Sequence, residues 1–231
     1  MKQHQPFLLL GTTPEGEVIT IPIQAYPFLW VLGVSGSGKS TLLVWIILHL
    51  LRMGVTVLSL DPHGDTIRLA LSCLSQSDFY PRGFDRLHFI DFNRKDAYPA
   101  FNVLRQEHLD NYRVSQNFLE SIHRSFPSSS GTTANLDNTI EYSAFVLAEN
   151  GLPITPYLQK FLLDSAFRAR LLAKIKDQQI IQFFDFTFSD KVNSTLIAST
   201  MRRLDLLTFS PTLRNSLGAS SNILNWKFKA A

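Results

Sequence analysis

A glycine-rich stretch at residues 30–45, WVLGVSGSGKSTLLVW, constrains this chain more than any other feature. An apolar segment leads into it and an apolar helical pattern follows, so the glycines mark a turn between a strand and a helix. The stretch satisfies the pattern G-x-x-x-x-G-K-[ST], in which backbone N–H groups at the start of a helix surround the phosphates of a nucleotide. The sequence therefore predicts a nucleotide site of the P-loop type.

The roles of the loop residues follow from their chemistry. Glycines let the backbone wrap the phosphates, Lys39 neutralises the β and γ phosphates, and the Ser40 hydroxyl completes the ligand shell of Mg²⁺. ATP and Mg²⁺ are therefore the expected cofactors, and Lys39 is a candidate catalytic residue. The candidate nucleotide-binding residues are Gly33, Ser35, Gly36, Ser37, Gly38, Lys39, Ser40 and Thr41.

Two carboxylates follow in the stretch LSLDPHGD, at the end of the next apolar segment. Asp61 ends a predicted strand, at the sheet edge where a phosphate-binding loop lies. Asp61 and Asp65 are candidate catalytic residues that could orient the attacking water, and Asp61 is also a candidate Mg²⁺ ligand beside Ser40. A structural interpretation stays open, because residues 61–64 suit a turn, with His63 as a turn residue, and Asp65 suits a helix N-cap.

The order of apolar segments predicts an α/β fold. Buried strands are expected at 28–34, 55–61 and 86–92, alternating with helices over 38–53 and 66–75. Two short strands, PFLLL and VITIPI, precede them and are joined by the turn TTPEGE. Strand and helix in alternation imply a mostly parallel sheet with right-handed crossovers.

The pattern changes at about residue 106, where helical spacing of apolar residues begins to dominate. We expect residues 1–105 to form the N-terminal half of the nucleotide-binding domain, 106–218 a helical insertion, and 219–231 a short tail. The basic side chains of the helical part, from Arg168 to Arg203, are scattered and are interpreted as solvated helix faces.

Composition sets mild limits on function. The net charge of +3 and the sequence pI of about 9.0 are compatible with nucleic acid without requiring it. The single cysteine, Cys73, excludes an internal disulfide and indicates a reducing compartment. No signal peptide or transmembrane segment is evident, since the longest apolar run is far shorter than the roughly 20 residues that span a bilayer. A cytoplasmic location is expected, with peripheral attachment to the inner face of the membrane left open.

Longer stretches resemble a known family. Residues 33–65 and LHFIDFNRKDAYPAFNVL resemble the HerA/FtsK-like pumping ATPases, nearest to the TraD-like coupling and motor ATPases of type IV secretion and conjugation. The matching positions include DPHGD, Asp91, Tyr98-Pro99 and Phe101-Asn102, while Val103 stands where that family has proline. The resemblance covers about residues 7–226.

The resemblance implies a RecA-like P-loop NTPase fold, ATP with Mg²⁺, a hexameric ring, and translocation of DNA or protein with membrane-embedded secretion machinery as a partner. It also implies that the water-activating carboxylate stands at Asp61 or Asp65. The family's Walker B strand, four apolar residues followed by Asp-Glu, has no counterpart after residue 189. We therefore expect a truncated form with weak nucleotide binding and little hydrolysis on its own.

The function predicted from the sequence is that of an ATP-binding motor domain of a DNA- or protein-translocating ATPase. A second interpretation is a non-catalytic nucleotide-binding module that docks on a full-length motor ring. A third is a small-molecule kinase, which would need a lid whose arginines face the phosphates. Arg168, Arg170, Arg202 and Arg203 are available for such a lid, but no substrate pocket is evident in the sequence.

Overall fold

The computed structural model describes residues 7–23, 28–79, 84–94, 96–126, 134–188, 198, 200–202, 205 and 208–223. They fall into two compact units, the first within residues 1–88 and the second within residues 89–227. The glycine-rich loop lies in the first unit, and the helical part of the chain lies in the second.

The first unit begins with a β-hairpin. Its strands are β1 (Phe7–Thr12) and β2 (Val18–Pro22), which pair in antiparallel orientation. Between them, the Thr13 N–H donates to the Glu17 carbonyl at 2.8 Å, and Gly16 takes a φ of 88° that favours glycine. The two short strands and the turn predicted from the sequence are confirmed.

Two helices follow in the first unit, α1 (Lys39–Arg52) and α2 (Asp65–Ser75), and they pack against each other. Gly54, with a φ of 75°, ends α1, and the N–H of Val55 donates back to the Leu50 carbonyl at 3.0 Å. This is the usual way in which a glycine in the left-handed region stops a helix. Both helices lie where the sequence predicts them.

The hairpin is fixed to α1 by two side chains one helical turn apart. Trp45 Nε1 donates to the Leu9 carbonyl at 3.1 Å, and His49 Nε2 donates to the Phe7 carbonyl at 3.1 Å. The two rings also stack, with centroids 6.5 Å apart. Since both acceptors belong to β1, the helix that follows the glycine-rich loop is anchored along this strand.

The predicted parallel sheet is not shown by the described residues, whose only sheet is the hairpin β1–β2. Residues 28–34, 55–61 and 86–92 contain neither strand nor bridge. The expectation of strands buried on both faces is wrong here, because Trp30 is 83% exposed and Leu60 is 85% exposed. A central strand is buried only where neighbouring strands and helices cover both of its faces.

The second unit is helical. Its helices are α3 (Asn111–Ser125), α4 (Ala134–Glu149), α5 (Ile154–Leu163), α6 (Ser165–Leu172), α7 (Gln178–Gln182) and α8 (Pro211–Leu217). A π-helical turn, Phe183–Thr187, continues α7. The helices expected between residues 106 and 218 are confirmed for the described part, and residues 189–197 lie outside it. Among the helices described, none is both long and apolar enough to cross a membrane.

The core of the second unit is built around α4 and α5. Its most deeply buried large side chains are Val114, Val146, Leu147, Leu158, Phe161 and Leu162. Aromatic rings meet edge to face at one side, where Phe184 lies 5.1 Å from both Phe161 and Phe183. Edge-to-face contact adds to the burial of the rings, so the many phenylalanines of the sequence serve a helical core.

The YPAFNVL motif belongs to the second unit and is held there by a later segment. The N–H of Asn102 donates to the Ser221 carbonyl at 3.0 Å, and the N–H of Ile223 donates to the Ala100 carbonyl at 2.7 Å. The Asn102 side chain, 2% exposed, accepts the N–H of Leu104 at 3.0 Å. The segment around Ser221, which the sequence suggests is a tail, therefore braces this motif.

Arg168 corrects one sequence interpretation. It is 7% exposed, and its Nη1 donates to the carbonyls of Phe161 at 3.2 Å and Leu162 at 3.1 Å. Its guanidinium also lies 5.0 Å from the centre of the Phe188 ring. The solvated helix face expected for the basic residues holds for Arg170, which is exposed, and is wrong for Arg168.

Candidate nucleotide site

The glycine-rich loop turns on two glycines in the left-handed region. Gly36 has a φ of 81° and Gly38 a φ of 86°, and a Cβ at either position would meet nothing within 4 Å. Glycine is therefore required there by backbone conformation rather than by space. The N–H of Ser37 donates to the Val34 carbonyl at 3.2 Å and closes the turn.

The start of α1 leaves backbone donors open. Gly38 is the N-cap residue, and no side chain caps the helix. The first helical bond runs from the Leu42 N–H to the Gly38 carbonyl at 2.9 Å, and the N–H groups of Lys39, Ser40 and Thr41 have no acceptor among the described residues. Free donors at the positive end of a helix dipole suit an anion.

Three helices of the second unit show the contrast. Asp110 accepts the Arg113 N–H at the start of α3 at 2.9 Å, and Asp164 accepts the Phe167 N–H at the start of α6 at 2.9 Å. Asp177 caps α7 in the same way, 2.8 Å from the Gln179 nitrogen. A carboxylate satisfies the first-turn donors of these helices, whereas at α1 they remain available to a ligand.

Lys39 lies back across the loop. Its Nζ donates to the Val34 carbonyl at 2.7 Å, and no carboxylate among the described residues forms an ion pair with it. A phosphate oxygen would replace a neutral acceptor with a charged one, and charge-assisted bonds are the stronger kind. The lysine is thus held beside the open N–H groups with its charge uncompensated.

The donor set also fits Mg²⁺. The Ser40 hydroxyl is exposed and makes no hydrogen bond with a described residue, so it is free to act as a hard oxygen ligand. No cluster of three or more His, Cys, Asp or Glu side chains that could hold a metal occurs in the described part of the chain. A magnesium ion here would therefore rely on Ser40, water and the phosphates of the nucleotide, as such ions usually do.

Asp61 uses both carboxylate oxygens on backbone donors. Oδ1 accepts the His63 N–H and Oδ2 accepts the Ile67 N–H, each at 3.1 Å. The bond from Ile67 lowers the pKa of the Asp61 carboxyl below its ordinary value, against the opposing effect of desolvation. Asp61 is therefore ionised at neutral pH and joins the turn to the first turn of α2, which confirms the turn interpretation.

Asp65 is not the N-cap that its position suggests. α2 begins at Asp65 itself, and the N-cap is Gly64 with a φ of 82°. The capping acceptor comes from Asp61, which reaches Ile67 from outside the helix. The Asp65 side chain is exposed and makes no hydrogen bond with a described residue, so its carboxylate is free.

The loop residues predicted to bind nucleotide form one continuous turn at the start of α1. Asp61 and Asp65 stand at the start of α2, in the same unit. A family model described as "Helicase HerA, central domain" matches residues 10–204, which is most of the chain. The chain belongs to the HerA central-domain family. The HerA match covers the hairpin, the loop and most of the helical unit, and it makes the first unit part of a P-loop ATPase.

Comparison with curated proteins and with solved structures finds no match. The HerA assignment agrees with the family resemblance stated from GSGKS and DPHGD, and with the prediction of a P-loop site.

Two contacts of the site were not foreseen from the sequence. One is the Val34 carbonyl, which holds the Lys39 ammonium, and the other is the reach of Asp61 to Ile67. The second had a signal, because Asp61 precedes a Pro-His-Gly turn and an apolar helix. The first had none, because any residue at 34 supplies a carbonyl.

Proposed function

We propose that this HerA-family chain is the ATP-binding motor domain of a translocating ATPase. The observation that carries the proposal is the open set of N–H donors at Lys39, Ser40 and Thr41, behind two glycines in the left-handed region. The lysine ammonium lies beside them without an ion-pair partner among the described residues. Together they match the charge and shape of a nucleotide polyphosphate.

In this proposal Lys39 bonds the β and γ phosphates and Ser40 holds Mg²⁺, which shields the phosphate charge. Asp65, the free carboxylate at the start of α2, is the better candidate to orient a water molecule. Asp61 acts as a positioning residue, since both of its oxygens already accept backbone N–H groups. It retains lone pairs through which a metal-bound water could be held.

The class of motor is proposed from sequence. DPHGD and YPAFNVL support the type IV secretion and conjugation branch, with DNA or protein as cargo and a hexameric ring as the assembly. The membrane-embedded secretion machinery would then be the partner on which the ring docks.

Nucleotide titration of the full chain tests the ATP site. The affinity for a fluorescent ATP analogue with Mg²⁺ is measured for wild type, Lys39→Ala and the control Lys174→Ala, which removes an exposed lysine of the second unit. We expect Lys39→Ala to weaken binding at least about tenfold, which corresponds to about 1.4 kcal/mol, and the control to leave binding unchanged. Equal affinities for all three proteins would refute the site.

The carboxylates are separated by a second pair of variants. Asp65→Asn should leave nucleotide affinity unchanged and lower any ATP turnover of the assembled protein. Asp61→Asn should weaken the protection of the α2 amides from hydrogen exchange, because an amide offers one acceptor oxygen in place of two. If Asp65→Asn leaves turnover intact and Asp61→Asn abolishes it, the roles assigned here are reversed.

A further inference from the structure

The segment before the glycine-rich loop exposes large apolar side chains on alternate residues. Phe28 is 81% exposed, Trp30 83%, Leu32 83% and Val34 79%. Val31, between them, is partly buried. Alternation with period two is the pattern of a strand with one covered and one uncovered face.

A second segment of the first unit repeats the pattern. Leu58 is 75% exposed and Leu60 85%, whereas Val57 and Ser59 are partly buried. We call the exposed apolar set the six residues Phe28, Trp30, Leu32, Val34, Leu58 and Leu60. Monomeric proteins rarely leave apolar patches larger than a few hundred Å² in contact with water, so this set points to an occupant.

The main chain of the two segments is also without partners. No N–H or C=O of residues 28–33 or 56–60 makes a hydrogen bond with another described residue. The residues themselves, rich in valine, leucine and aromatic side chains, are of the kind that pairs well in strands. An occupant that adds a strand would satisfy the main chain and cover the side chains together.

Charge and area favour a second copy of the chain as that occupant. Residues 28–38 and 53–60 contain no Asp, Glu, Lys, Arg or His, so two copies would meet without like-charge repulsion. With about 150–250 Å² for each aromatic side chain and somewhat less for each aliphatic one, the exposed apolar set amounts to roughly 900 Å². That is close to the roughly 800 Å² per partner of a standard protein interface.

We propose that two copies of the chain associate through the exposed apolar set, with residues 28–34 of one copy pairing antiparallel with the same residues of the other. A two-fold axis gives this antiparallel arrangement and closes the assembly at two copies. It differs in symmetry from a ring, which is built from head-to-tail contacts. The association does not require nucleotide, so its test is independent of the proposed ATP site.

The test is the molar mass of the full chain in solution as a function of protein concentration, by size exclusion with light scattering. Wild type should be a dimer that dissociates on dilution. Leu32→Lys places like charges opposite each other in the paired strands and should raise the dissociation constant about tenfold or more. The matched control is Phe209→Lys, which alters an aromatic residue of the second unit that is 88% exposed and should leave the dimer intact.

Circular dichroism of each variant checks that the helices are retained, and a disulfide variant gives a second measurement. Leu32→Cys in a Cys73→Ser background should form a disulfide-linked dimer on mild oxidation, and Phe209→Cys in that background should not. A monomer at every concentration would overturn the proposal, whether the set is then covered by the rest of the chain or left bare. An assembly unaffected by Leu32→Lys, or larger than a dimer, would overturn it too.

Discussion

Replacing Gly38 by alanine tests whether the conformation of the loop, rather than its length, makes the nucleotide site. Gly38 has a φ of 86°, and a Cβ there would meet nothing within 4 Å. The substitution therefore adds no clash, and its cost is the strain of holding an L-residue in the left-handed region, about 1–2 kcal/mol.

This strain appears in one of two measurements. If alanine stays in the left-handed region, the free energy of unfolding of the first unit falls by about 1–2 kcal/mol. If the free loop relaxes to a negative φ, the open N–H groups at the start of α1 no longer converge, and nucleotide must restore them. The affinity then falls by about 5- to 30-fold, the factor that corresponds to the same energy.

Gly54 supplies a matched control at the other end of the same helix. Its φ is 75°, and a Cβ there would also meet nothing within 4 Å. Gly54→Ala should therefore cost a similar amount of stability while leaving nucleotide affinity unchanged, because Gly54 lies outside the loop.

The assays are calorimetric titration with ATP and Mg²⁺ and hydrogen exchange of the α1 amides, residues 39–52. The reasoning is refuted if Gly38→Ala changes neither measurement, since the strain would then be absent. It is also refuted if Gly54→Ala weakens nucleotide binding as much as Gly38→Ala does, since the effect would then come from general destabilisation of α1.

Three further predictions concern the helical unit. Asp164→Ala removes the acceptor of the Phe167 N–H and should lower the stability to urea by about 1 kcal/mol, and no change would mean that water caps α6 equally well. Phe161→Ala empties a fully buried site and should cost about 3–5 kcal/mol by thermal or urea unfolding, whereas a cost below about 1 kcal/mol would show that the core collapses around it. Tyr112 donates to Asp177 at 2.7 Å, which lowers the pKa of Asp177 and raises the pKa of Tyr112. The stability lost in Tyr112→Phe should therefore be greatest at neutral pH. It should shrink below about pH 4, as Asp177 is protonated, and above about pH 10, as the tyrosine ionises; a loss independent of pH would contradict this assignment.

Local patterns in the sequence predicted the elements well where a few neighbouring residues decide the backbone. The hairpin followed from two apolar runs around TTPEGE, and the end of α1 followed from Gly54, because turn and cap conformations are local. Asp65 shows the limit of this reasoning. As an acid before an apolar run it suits an N-cap, but Asp61 takes that role from four residues earlier through a turn whose shape the pattern does not specify.

The burial of Arg168 could not be predicted either. Its helix α6 has an almost even distribution of polar and apolar residues, so nothing in the spacing separates Arg168 from Arg170. The decisive contacts are carbonyls at the end of α5 and the ring of Phe188, which only the packing of the unit brings together.

The sequence by itself determined the phosphate-binding loop, because glycines, lysine and serine at fixed spacing define a backbone shape and a charge within nine residues. It also determined the family, since GSGKS and DPHGD occur together in one chain. Tertiary structure decided what lies beyond such local rules: which apolar segments are covered, which carboxylate is spent on a helix and which stays free. Burial and long-range hydrogen bonds depend on groups far apart in the chain, and apolar residues 28–34 read as a buried strand until the packing left one face open.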